Sequence, residues 1–560
     1  MANTKITTKV NLKEAFADLQ TTNPLLSLES RILKNGIEYK VFNNAPKTIR
    51  DLIDVIGMLH GDFPFLLDQG NQLSYSQVVS KTKNLANYLT KHGVTCGDRV
   101  GICMQNSAEW IIAHMAISAH GATSVPFNSW WKEEELKYGI DHSEVKLLFV
   151  DEKRYELTKS FKVKKIIVSD KSFDDCINFS ETVSHDCESW PEVNANDEDV
   201  NVILYTSGST GLPKGVMLTH LSVINSILGF YTFGELRSII HQEQLLNIEN
   251  ASVLLNVPLF HVTGLITQFL LSMVAKRNII IMRKWDATEA LELIHKFKVT
   301  NLSGVPAQSW DLLNHPEVDN YDLSSLIDIG AGGAARPEDQ VISLDKKFNI
   351  PQTFAWGMTE TSAIGTVLRG NDYLHRPNSA GLCVPELTEI NIIDEKWNFL
   401  DVGEIGEIVF KSPTNTIGYL KNVNDTNDSI KDGWLKTGDL GYLDEDGYIF
   451  IVDRKKALII RGGENISCLE VENALDKHND IIESCVCGIF DEKFGEIVGT
   501  LIYADQNLDL QALKNFLSKY LANYKIPEVY KFIDKPLPRI ASEKLDRVEI
   551  KKILSEKDHE

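Results

Sequence analysis

Residues 205–215 form a polar, glycine-rich segment, YTSGSTGLPKG, that directly follows the apolar run Val202–Leu204. Glycines permit backbone conformations that expose successive N–H groups, and hydroxyl side chains add further donors. A lysine adds positive charge, so a polyanion could be surrounded from several sides. We therefore expect this segment to bind phosphate, through Thr206, Ser207, Gly208, Ser209, Thr210, Gly211 and Lys214.

This segment has two other possible interpretations. A Walker A loop needs G-x-x-x-x-G-K-[ST], but here Leu212 and Pro213 separate Gly211 from Lys214, and a glycine follows the lysine. The pattern excludes a Walker loop. A plain surface loop is the other alternative, yet eight of the eleven positions are glycine, hydroxylated or basic and they come directly after a predicted strand. This composition favours a phosphate site.

A second small-residue segment, GAGGAA at residues 330–335, matches G-x-G-x-x-A between a predicted strand and a predicted helix. That pattern is typical of dinucleotide-binding folds, which also place an acidic residue about 20 positions further on. Residues 348–358 contain no acidic residue, which disfavours a nicotinamide cofactor. Two alternatives remain: a flat base that lies against the backbone, or a helix start that needs close packing.

The segment TFAWGMTE at residues 353–360 ends an apolar run with a hydroxyl and a carboxylate. Strand ends commonly carry functional sites. Glu360 could bind Mg²⁺, which prefers oxygen ligands, and Thr359 could donate to a phosphate. The alternative is a helix N-cap, in which Thr359, Glu360 and Ser362 are first-turn residues.

Three further polar positions lie in the last quarter of the chain. Asp439 lies in a glycine-flanked turn, where a carboxylate can accept two hydrogen bonds from a ribose diol, although aspartate also favours turns for local reasons. The segment Arg461–Ile466 is a glycine-rich turn that could simply reverse the chain. Lys544 lies on a polar loop before the last predicted helix, where a lysine is usually solvated.

The surrounding pattern alternates strand-like and helix-like segments, which is typical of α/β folds with parallel sheets. Such units connect parallel strands through helices. The predicted segments are a helix over 74–89, a strand over 100–104, strand and helix pairs over 278–282 with 287–297 and over 326–329 with 336–348, and a strand over 447–453.

The carboxyl-terminal hundred residues are predicted to form a small α/β domain of their own. A charged cluster, Arg454-Lys455-Lys456, follows the strand over 447–453 and is a candidate hinge, so we place the domain boundary at residue 455, with domains 1–455 and 456–560. Residues 1–45 look like a polar leader packed on the surface. The small domain is expected to contain helices over 468–478 and 510–520 and strands over 483–489 and 497–503.

Composition sets the broad class. The chain has 560 residues, 43% of them apolar, and a net charge of −21, which argues against nucleic acid or an anionic membrane surface as the main partner. The longest apolar stretches fall short of the roughly 18 residues of a membrane span. The amino terminus lacks a secretory apolar core, and the eight cysteines show no CxxC spacing, with Cys485 and Cys487 expected to be buried reduced thiols. The expected location is the cytoplasm.

Taken in order, these segments resemble the adenylate-forming superfamily of acyl- and aryl-CoA synthetases, firefly luciferase and peptide-synthetase adenylation domains. The superfamily signature [YF]-T-S-G-[ST]-T-G-x-P-K-G is met in full at 205–215, and G-M-T-E, K-T-G-D, D-R-x-K and G-G-E-N-I follow in the same order. The segments that most resemble the bacterial fatty-acid–CoA ligases lie at 128–131, 258–264, 285–286, 304–306 and 356–360.

This resemblance implies an α/β fold with a large multi-subdomain N-terminal domain of layered α/β/α sheets plus a small β-barrel-like subdomain, and a small mobile α/β C-terminal domain. It implies ATP, Mg²⁺ and coenzyme A as cofactors and substrates, with a small-molecule carboxylic acid. The expected activity is AMP-forming acyl-CoA synthesis through an acyl-adenylate, on a medium- or long-chain fatty acid or a similar hydrophobic acid. Alternatives are an aryl-CoA ligase, an acyl-AMP ligase that loads a carrier-protein phosphopantetheine, and a nucleotide-binding regulatory protein without turnover. A homodimer is compatible with the family.

The resemblance also implies a role for each matching residue. The 206–214 residues would cover the β- and γ-phosphates of ATP; Gly332, Gly333 and Ala334 would flank the adenine; and Trp356, with Gly357, would stack where the superfamily more often has tyrosine. Thr359 would contact the α-phosphate, Glu360 the Mg²⁺, and Asp439 and Arg454 the ribose. His261 would lie beside the reacting carboxylate, although a core histidine is the alternative. Lys456 would be the hinge, Gly463 would line the pantetheine channel, and Lys544 would be the catalytic lysine.

One departure from the superfamily lies beside that lysine. The usual pattern is P-R-x-x-x-G-K, and here Glu543 replaces the glycine. Glycine's conformational freedom is lost, and a carboxylate beside the Lys544 ammonium could orient it or partly neutralise it. Other lysines, at 535, 551 and 552, do not keep the spacing from Pro538-Arg539.

Overall fold

The computed structural model describes residues 12–184, 187–206, 213–241, 248–334, 336–455, 458–461, 464–504, 508–540 and 543–556. Within these ranges, no helix combines the length and the hydropathy that a membrane crossing requires.

The described α-helices are α1 (Leu12–Thr22), α2 (Ile49–His60), α3 (Tyr75–Lys91), α4 (Ala108–Ala119), α5 (Glu133–Ser143), α6 (Glu152–Thr158), α7 (Phe179–Thr182), α8 (His220–His241), α9 (Leu271–Val274), α10 (Ala287–Phe297), α11 (Pro306–Leu313), α12 (Glu338–Phe348), α13 (Gly370–His375), α14 (Val423–Ser429), α15 (Cys468–Leu475), α16 (Leu510–Leu517) and α17 (Arg547–Ser555). Short 3₁₀ segments lie at Pro24–Leu26, Val318–Asn320, Thr359–Thr361 and Asn523–Lys525, and a π-helix at Thr263–Leu270.

The described strands are β1 (Leu28–Ile32), β2 (Glu38–Phe42), β3 (Pro64–Asp68), β4 (Asn71–Ser74), β5 (Arg99–Cys103), β6 (Thr123–Pro126), β7 (Leu147–Asp151), β8 (Lys164–Val168), β9 (Cys176–Asn178), β10 (Val200–Thr206), β11 (Lys214–Thr219), β12 (Ser252–Leu255), β13 (Asn278–Ile281), β14 (Asn301–Gly304), β15 (Asp328–Gly332), β16 (Gln352–Trp356), β17 (Thr366–Arg369), β18 (Glu389–Ile393), β19 (Gly406–Lys411), β20 (Gly418–Tyr419), β21 (Ile430–Lys431), β22 (Trp434–Leu443), β23 (Ile449–Arg454), β24 (Ile459–Arg461), β25 (Glu464–Ile466), β26 (Ile481–Asp491), β27 (Gly495–Ala504) and β28 (Val529–Ile533).

Two eight-stranded sheets form the large part of the fold. Their strand orders are β20-β11-β10-β6-β5-β7-β8-β9 and β17-β16-β15-β14-β12-β13-β3-β4, and the inner strands of each are parallel. Helix α4 contacts β5 and β6 of the first sheet and β3 of the second, and nearly all of its residues are buried. An element that is apolar all round must be covered on every side, so α4 lies between the two sheets in a layered α/β arrangement.

Smaller sheets complete the architecture. An antiparallel five-stranded sheet joins β18, β19, β22, β21 and β23, and its last strand ends at Arg454. A second five-stranded sheet, β25-β24-β27-β26 with β28 on β27, packs with α15, α16 and α17 around buried clusters of its own. The expected mixed α/β fold, with layered sheets and a small carboxyl-terminal domain, is confirmed. The boundary at residue 455 falls between β23 and β24 and stays a prediction.

The predicted segments correspond to observed elements with small shifts at their ends. The helix predicted over 74–89 is α3, which begins at a capping box: the Ser74 hydroxyl accepts from the Gln77 N–H, and the Gln77 side chain accepts from the Ser74 N–H. The two strand and helix pairs are β13 with α10 and β15 with α12. Cys485 and Cys487 are buried free thiols, as expected.

The surface leader predicted over residues 1–45 is wrong for the part that the structure describes. Helix α1 buries Ala15, Phe16 and Leu19 on one face, and Leu26 follows with no exposed surface. These side chains belong to the same buried cluster as α4. The spacing of three and four residues makes α1 amphipathic, and it therefore covers the core in spite of its polar composition.

Candidate active site

The two ends of the predicted phosphate segment lie side by side. Strands β10 and β11 pair antiparallel, with Thr206 directly opposite Lys214. Ser207, Gly208, Ser209, Thr210 and Gly211 lie outside the described residues. The segment therefore leaves the first sheet at the end of β10 and rejoins it at the start of β11. Strand β11 contacts the edge strand β20 and the turn that carries Glu360.

Lys214 has partners on a neighbouring segment. Its ammonium forms a salt bridge with Asp425 in α14 and lies 5.4 Å from the centre of the Tyr419 ring. The side chain keeps 21% of its surface exposed. A partly exposed ammonium over an aromatic face is held in position while it remains accessible to an anion.

Glu360 lies on a three-residue 3₁₀ turn, Thr359–Thr361, whose capping position is Met358. Thr359 and Glu360 are therefore the first residues of a short helical turn, and Ser362 is its C-terminal cap. Glu360 is 8% exposed, and its Oε1 accepts a hydrogen bond of 3.0 Å from the Tyr419 hydroxyl. Burial raises the pKa of Glu360, and the bond from Tyr419 and the charges of Arg454 and Lys214 oppose that rise.

This donor set suits a divalent cation. A buried carboxylate oxygen that has one protein donor retains lone pairs for a hard cation, which prefers oxygen ligands. Thr359 precedes it on the same turn and is half-buried. Both residues therefore stand where the resemblance implies Mg²⁺ and α-phosphate contacts, and those roles stay predictions.

Gly332 is the last residue of β15, and Gly333 and Ala334 follow it. A Cβ added to Gly332 would lie 2.8 Å from the Ala355 carbonyl oxygen, and Gly333 has φ +76°. A Cβ at Gly333 would lie 3.1 Å from Lys544 Nζ. Helix α12 begins only at Glu338, so close helix packing does not explain these small residues. They form a cradle that side chains would fill.

Trp356 ends β16 beside that cradle. Its indole N–H donates to Asp439 Oδ2 at 3.0 Å, and its ring packs 5.2 Å from that of Phe410. Gly357 follows, and a Cβ there would lie 2.0 Å from the Ala363 carbonyl oxygen. The indole thus connects the end of the second sheet to the antiparallel sheet that carries Asp439.

Asp439 and Arg454 lie opposite each other in the register of β22 and β23. Arg454 Nε lies 3.1 Å from Asp439 Oδ1, and the arginine side chain is 73% exposed. Burial raises the pKa of Asp439, with Arg454 and the Trp356 bond opposing. A carboxylate with both oxygens oriented by donors, beside an exposed guanidinium, can accept from a vicinal diol.

Lys544 of the small domain lies beside Gly333 of the large domain, within reach of the charges of Asp439 and Arg454. Burial lowers its pKa to about 8, with the charge of Arg454 acting in the same direction and Asp439 opposing. His261 is close enough for the Lys544 charge to act on it; burial and that charge lower the pKa of His261 to about 3. Its Nε2 is buried without a hydrogen-bond partner among the described residues. The neutral ring therefore has a ring nitrogen available to a ligand.

The structure thus brings most predicted residues together, and it adds Tyr419, which the sequence did not indicate. A two-residue edge strand with one tyrosine gives no local signal of contact with Glu360. Lys456 and Gly463, the predicted hinge and pantetheine-channel residues, lie outside the described residues. Three features fit the ATP, Mg²⁺ and acid that the resemblance implies. They are the glycine cradle, the His261 nitrogen without a partner among the described residues, and the carboxylate oxygens of Glu360.

Known proteins resemble this chain in both its large and its small domain. The AMP-binding enzyme family model matches residues 57–420, and the AMP-binding enzyme C-terminal domain model matches residues 470–544. A long-chain-fatty-acid–CoA ligase of Bacillus subtilis (strain 168) is 29% identical over 90% of this chain and 93% of its own length. A 2-succinylbenzoate–CoA ligase of Bacillus licheniformis is 32% identical over 85% of this chain and 94% of its own.

A solved structure extends the likeness to three dimensions. The o-succinylbenzoate CoA synthetase from Bacillus subtilis, in complex with the acyl-adenylate intermediate OSB-AMP, superposes with a TM-score of 0.77 at 27% identity. The match covers 89% of this chain and 97% of that one, so both the layered sheets and the small domain are included.

Proposed function

The chain belongs to the AMP-binding enzyme family, and from that premise we propose that it activates a hydrophobic carboxylic acid as an acyl-adenylate and transfers the acyl group to coenzyme A. It is an AMP-forming acid–thiol ligase that uses ATP, Mg²⁺ and CoA. The observation that supports this chemistry most strongly is the position of Lys544, which places a small-domain ammonium at the glycine cradle of the large domain.

The first half-reaction needs stabilisation of negative charge. A carboxylate oxygen of the acid bonds to the α-phosphorus of ATP, the bond to the β-phosphate oxygen breaks, and pyrophosphate leaves. Lys544, which lies beside Gly333, would stabilise the charge that builds up at the α-phosphate, and a preorganised donor of this kind is worth about 3 kcal/mol. Glu360 would hold Mg²⁺, which when bound would offset charge on the phosphates.

The other site residues bind and orient the reactants. Asp439 would accept hydrogen bonds from the ribose hydroxyls and Arg454 would donate to them. The cradle at Gly332 and Gly333 would admit the adenine. His261 is neutral at physiological pH because its pKa is lowered to about 3, so it would act on the carboxylate by hydrogen bonding. A neutral donor orients the acid without trapping it as an ion pair.

The second half-reaction needs a different arrangement. The CoA thiol loses its proton and attacks the acyl carbon, and AMP leaves. Lys544 occupies the site in the present orientation, so we propose that the small domain turns about Lys456 and presents the Gly463 loop for thioester formation. One face of the small domain would then serve each half-reaction.

For the acid itself, a medium- or long-chain fatty acid is the first candidate. The residues that precede and follow His261 are apolar: Phe260 is buried, and Val262 packs against the main core. The named activity of the Bacillus subtilis relative, a long-chain-fatty-acid–CoA ligase, supports this choice.

An aryl acid is the second candidate, and one buried side chain favours it. Gln308 is 3% exposed, and its Oε1 accepts from Asn256 Nδ2 at 2.9 Å and from the Val305 N–H at 3.2 Å. Among the described residues its Nε2 donates to none. The end of β14 lies beside the cradle, because Gly304 pairs with Ala331 of β15. A free amide donor there would suit an acid with a polar ring substituent, and the named activity of the Bacillus licheniformis relative is on such an aromatic acid.

The test is a panel of fatty and aromatic acids with purified protein, ATP and Mg²⁺, with and without CoA. We expect acid-dependent pyrophosphate release, and AMP and acyl-CoA when CoA is present. Higher kcat/KM for fatty acids supports the first candidate, and a preference for aryl acids supports the second. Adenylate that free CoA fails to consume would indicate a carrier-protein acceptor. No pyrophosphate release across the panel would contradict the proposed function.

A further inference from the structure

Lys214 is the only cation of the predicted phosphate segment, and Asp425 forms a salt bridge with its ammonium. The lysine is the first residue of β11, and the aspartate lies in the first turn of α14. The ammonium also lies 5.4 Å from the centre of the Tyr419 ring. Residues from a distant part of the chain therefore hold the ammonium in place.

The Asp425 carboxylate is oriented by the cap of its own helix. Asn422 is the N-cap of α14, and its side-chain oxygen accepts from the Asp425 N–H at 3.1 Å. The Asn422 side-chain amide donates in turn to Asp425 Oδ2 at 2.9 Å, and this is the oxygen that Lys214 contacts. An exposed salt bridge is usually weak because two flexible side chains must be ordered to form it. Here one partner is already ordered, so the pair loses less entropy when it forms.

Tyr419 is fixed both to the strand of the lysine and to the helix of the aspartate. Strands β11 and β20 pair antiparallel, and the Leu420 N–H donates to the Gly215 carbonyl at 2.8 Å. The Tyr419 N–H donates to the Thr426 hydroxyl of α14 at 3.0 Å. Hydrogen bonds thus join the three elements that carry Lys214, the aromatic ring and the carboxylate.

The same tyrosine connects the lysine to the predicted metal-binding carboxylate. Its hydroxyl donates to Glu360 Oε1 at 3.0 Å. The turn that carries Glu360 is also attached to β11 through Thr416, whose N–H donates to the Glu360 carbonyl at 2.6 Å and whose hydroxyl donates to the Met217 carbonyl at 2.8 Å. An ammonium and a carboxylate that meet one aromatic side chain suit a polyphosphate with a bound divalent cation.

We propose that Asp425 is a positioning residue for the phosphate chain of ATP: it holds the Lys214 ammonium over the ring of the tyrosine whose hydroxyl meets Glu360. The proposal rests on the proposed function, which supplies the nucleotide. A lysine that is restricted in advance loses less rotamer freedom when it binds a phosphate. Loss of the Asp425 carboxylate should therefore weaken the binding of ATP. AMP lacks the β- and γ-phosphates, so its binding should not change.

The test measures the equilibrium binding of ATP and of AMP by titration calorimetry, with Mg²⁺ and without an acid, so that no acyl-adenylate forms. We expect D425N to raise the Kd for ATP about three- to fivefold, which is the size that a partly exposed charge pair allows, and to leave the Kd for AMP unchanged. D425E keeps the charge on a longer side chain and should recover part of the ATP affinity. A general loss of structure would instead weaken the binding of both nucleotides.

A double-mutant cycle shows whether Asp425 acts through the lysine. K214M removes the ammonium and should raise the Kd for ATP by more than D425N does. D425N added to K214M should have no further effect, because the side chain that it positions is already gone. D428N is the matched control, because Asp428 is an exposed aspartate on the same helix and its replacement removes the same charge. It should bind ATP as the wild type does.

An unchanged or lower Kd for ATP in D425N would overturn the proposal, as would an equal loss of AMP binding, an equal effect of D428N, or a further loss when D425N is added to K214M. A wild-type protein that binds neither nucleotide would overturn both this proposal and the proposed function. A wild-type protein whose variants show the expected losses, yet which releases no pyrophosphate with any acid of the panel, would contradict the proposed function alone.

Discussion

The protonation of Lys544 should set the alkaline limit of acyl-adenylate formation. Its pKa is lowered to about 8 by burial and by the charge of Arg454. The ammonium stabilises the transition state, so the rate should be highest where the lysine is protonated. At pH 7 about nine-tenths of the molecules carry the charge, and at pH 9 roughly one-tenth do. The rate should therefore be level below pH 7 and fall about tenfold for each pH unit well above 8.

Replacement of Lys544 should show how much this side chain contributes to the rate of adenylation. A preorganised contact worth about 3 kcal/mol corresponds to a factor of roughly 150 in rate, so K544A should slow adenylation by about that factor at pH 7. The alkaline fall should vanish in K544A, since the titrating group is gone. K544R keeps its charge at every accessible pH and should also give a level profile, below the wild type, because the guanidinium does not fit beside Gly333.

The assay is single-turnover pyrophosphate release across pH 6 to pH 10, with thioester formation from supplied acyl-adenylate measured in parallel. Thioester formation by K544A should stay near the wild-type rate. A wild-type adenylation profile that remained level to pH 10, or a K544A profile that kept the alkaline fall, would refute the assignment of the titration to this lysine.

Three further predictions concern the residues around the cradle. W356F removes the indole donor to Asp439, a charged acceptor, and should raise the KM for ATP by roughly tenfold with little change in kcat; an unchanged KM would contradict the positioning role. Y419F removes a donor to Glu360, which should raise the pKa of that carboxyl further, so the Mg²⁺ concentration for half-maximal rate should rise, and more at pH 6 than at pH 8; equal requirements in both proteins would count against it. G357A puts a Cβ 2.0 Å from the Ala363 carbonyl oxygen and should lower stability by about 1–3 kcal/mol in a thermal melt, whereas an unchanged Tm would show that the turn relaxes freely.

Much of the site follows from the sequence because it lies at the ends of strands. Gly332 ends β15 and Trp356 ends β16, and neighbouring parallel strands end at the same edge of a sheet. The antiparallel pairing of β10 and β11 likewise follows from two apolar runs around a glycine-rich turn. Small residues and hydroxyls at such points predict a phosphate or nucleotide site from local pattern alone.

Contacts between distant segments could not be predicted in this way. Tyr419 reaches Glu360 across 59 positions, and Trp356 reaches Asp439 across 83, through the packing of separate sheets. The left-handed backbone of Glu543 could not be predicted either, because that conformation favours glycine. Helix α1 shows the same limit, because the face that carries Ala15, Phe16 and Leu19 belongs to the core only once a partner surface exists.

The central claim, that this chain couples an acid to CoA through an acyl-adenylate, is tested most directly by the fate of the carboxylate oxygens. The protein is supplied with an acid labelled with ¹⁸O in both carboxylate oxygens, ATP, Mg²⁺ and CoA, and the products are analysed by mass spectrometry. An acyl-adenylate predicts one ¹⁸O in AMP and one in the acyl-CoA, with none in pyrophosphate. Label in pyrophosphate or inorganic phosphate, with none in AMP, would contradict the account.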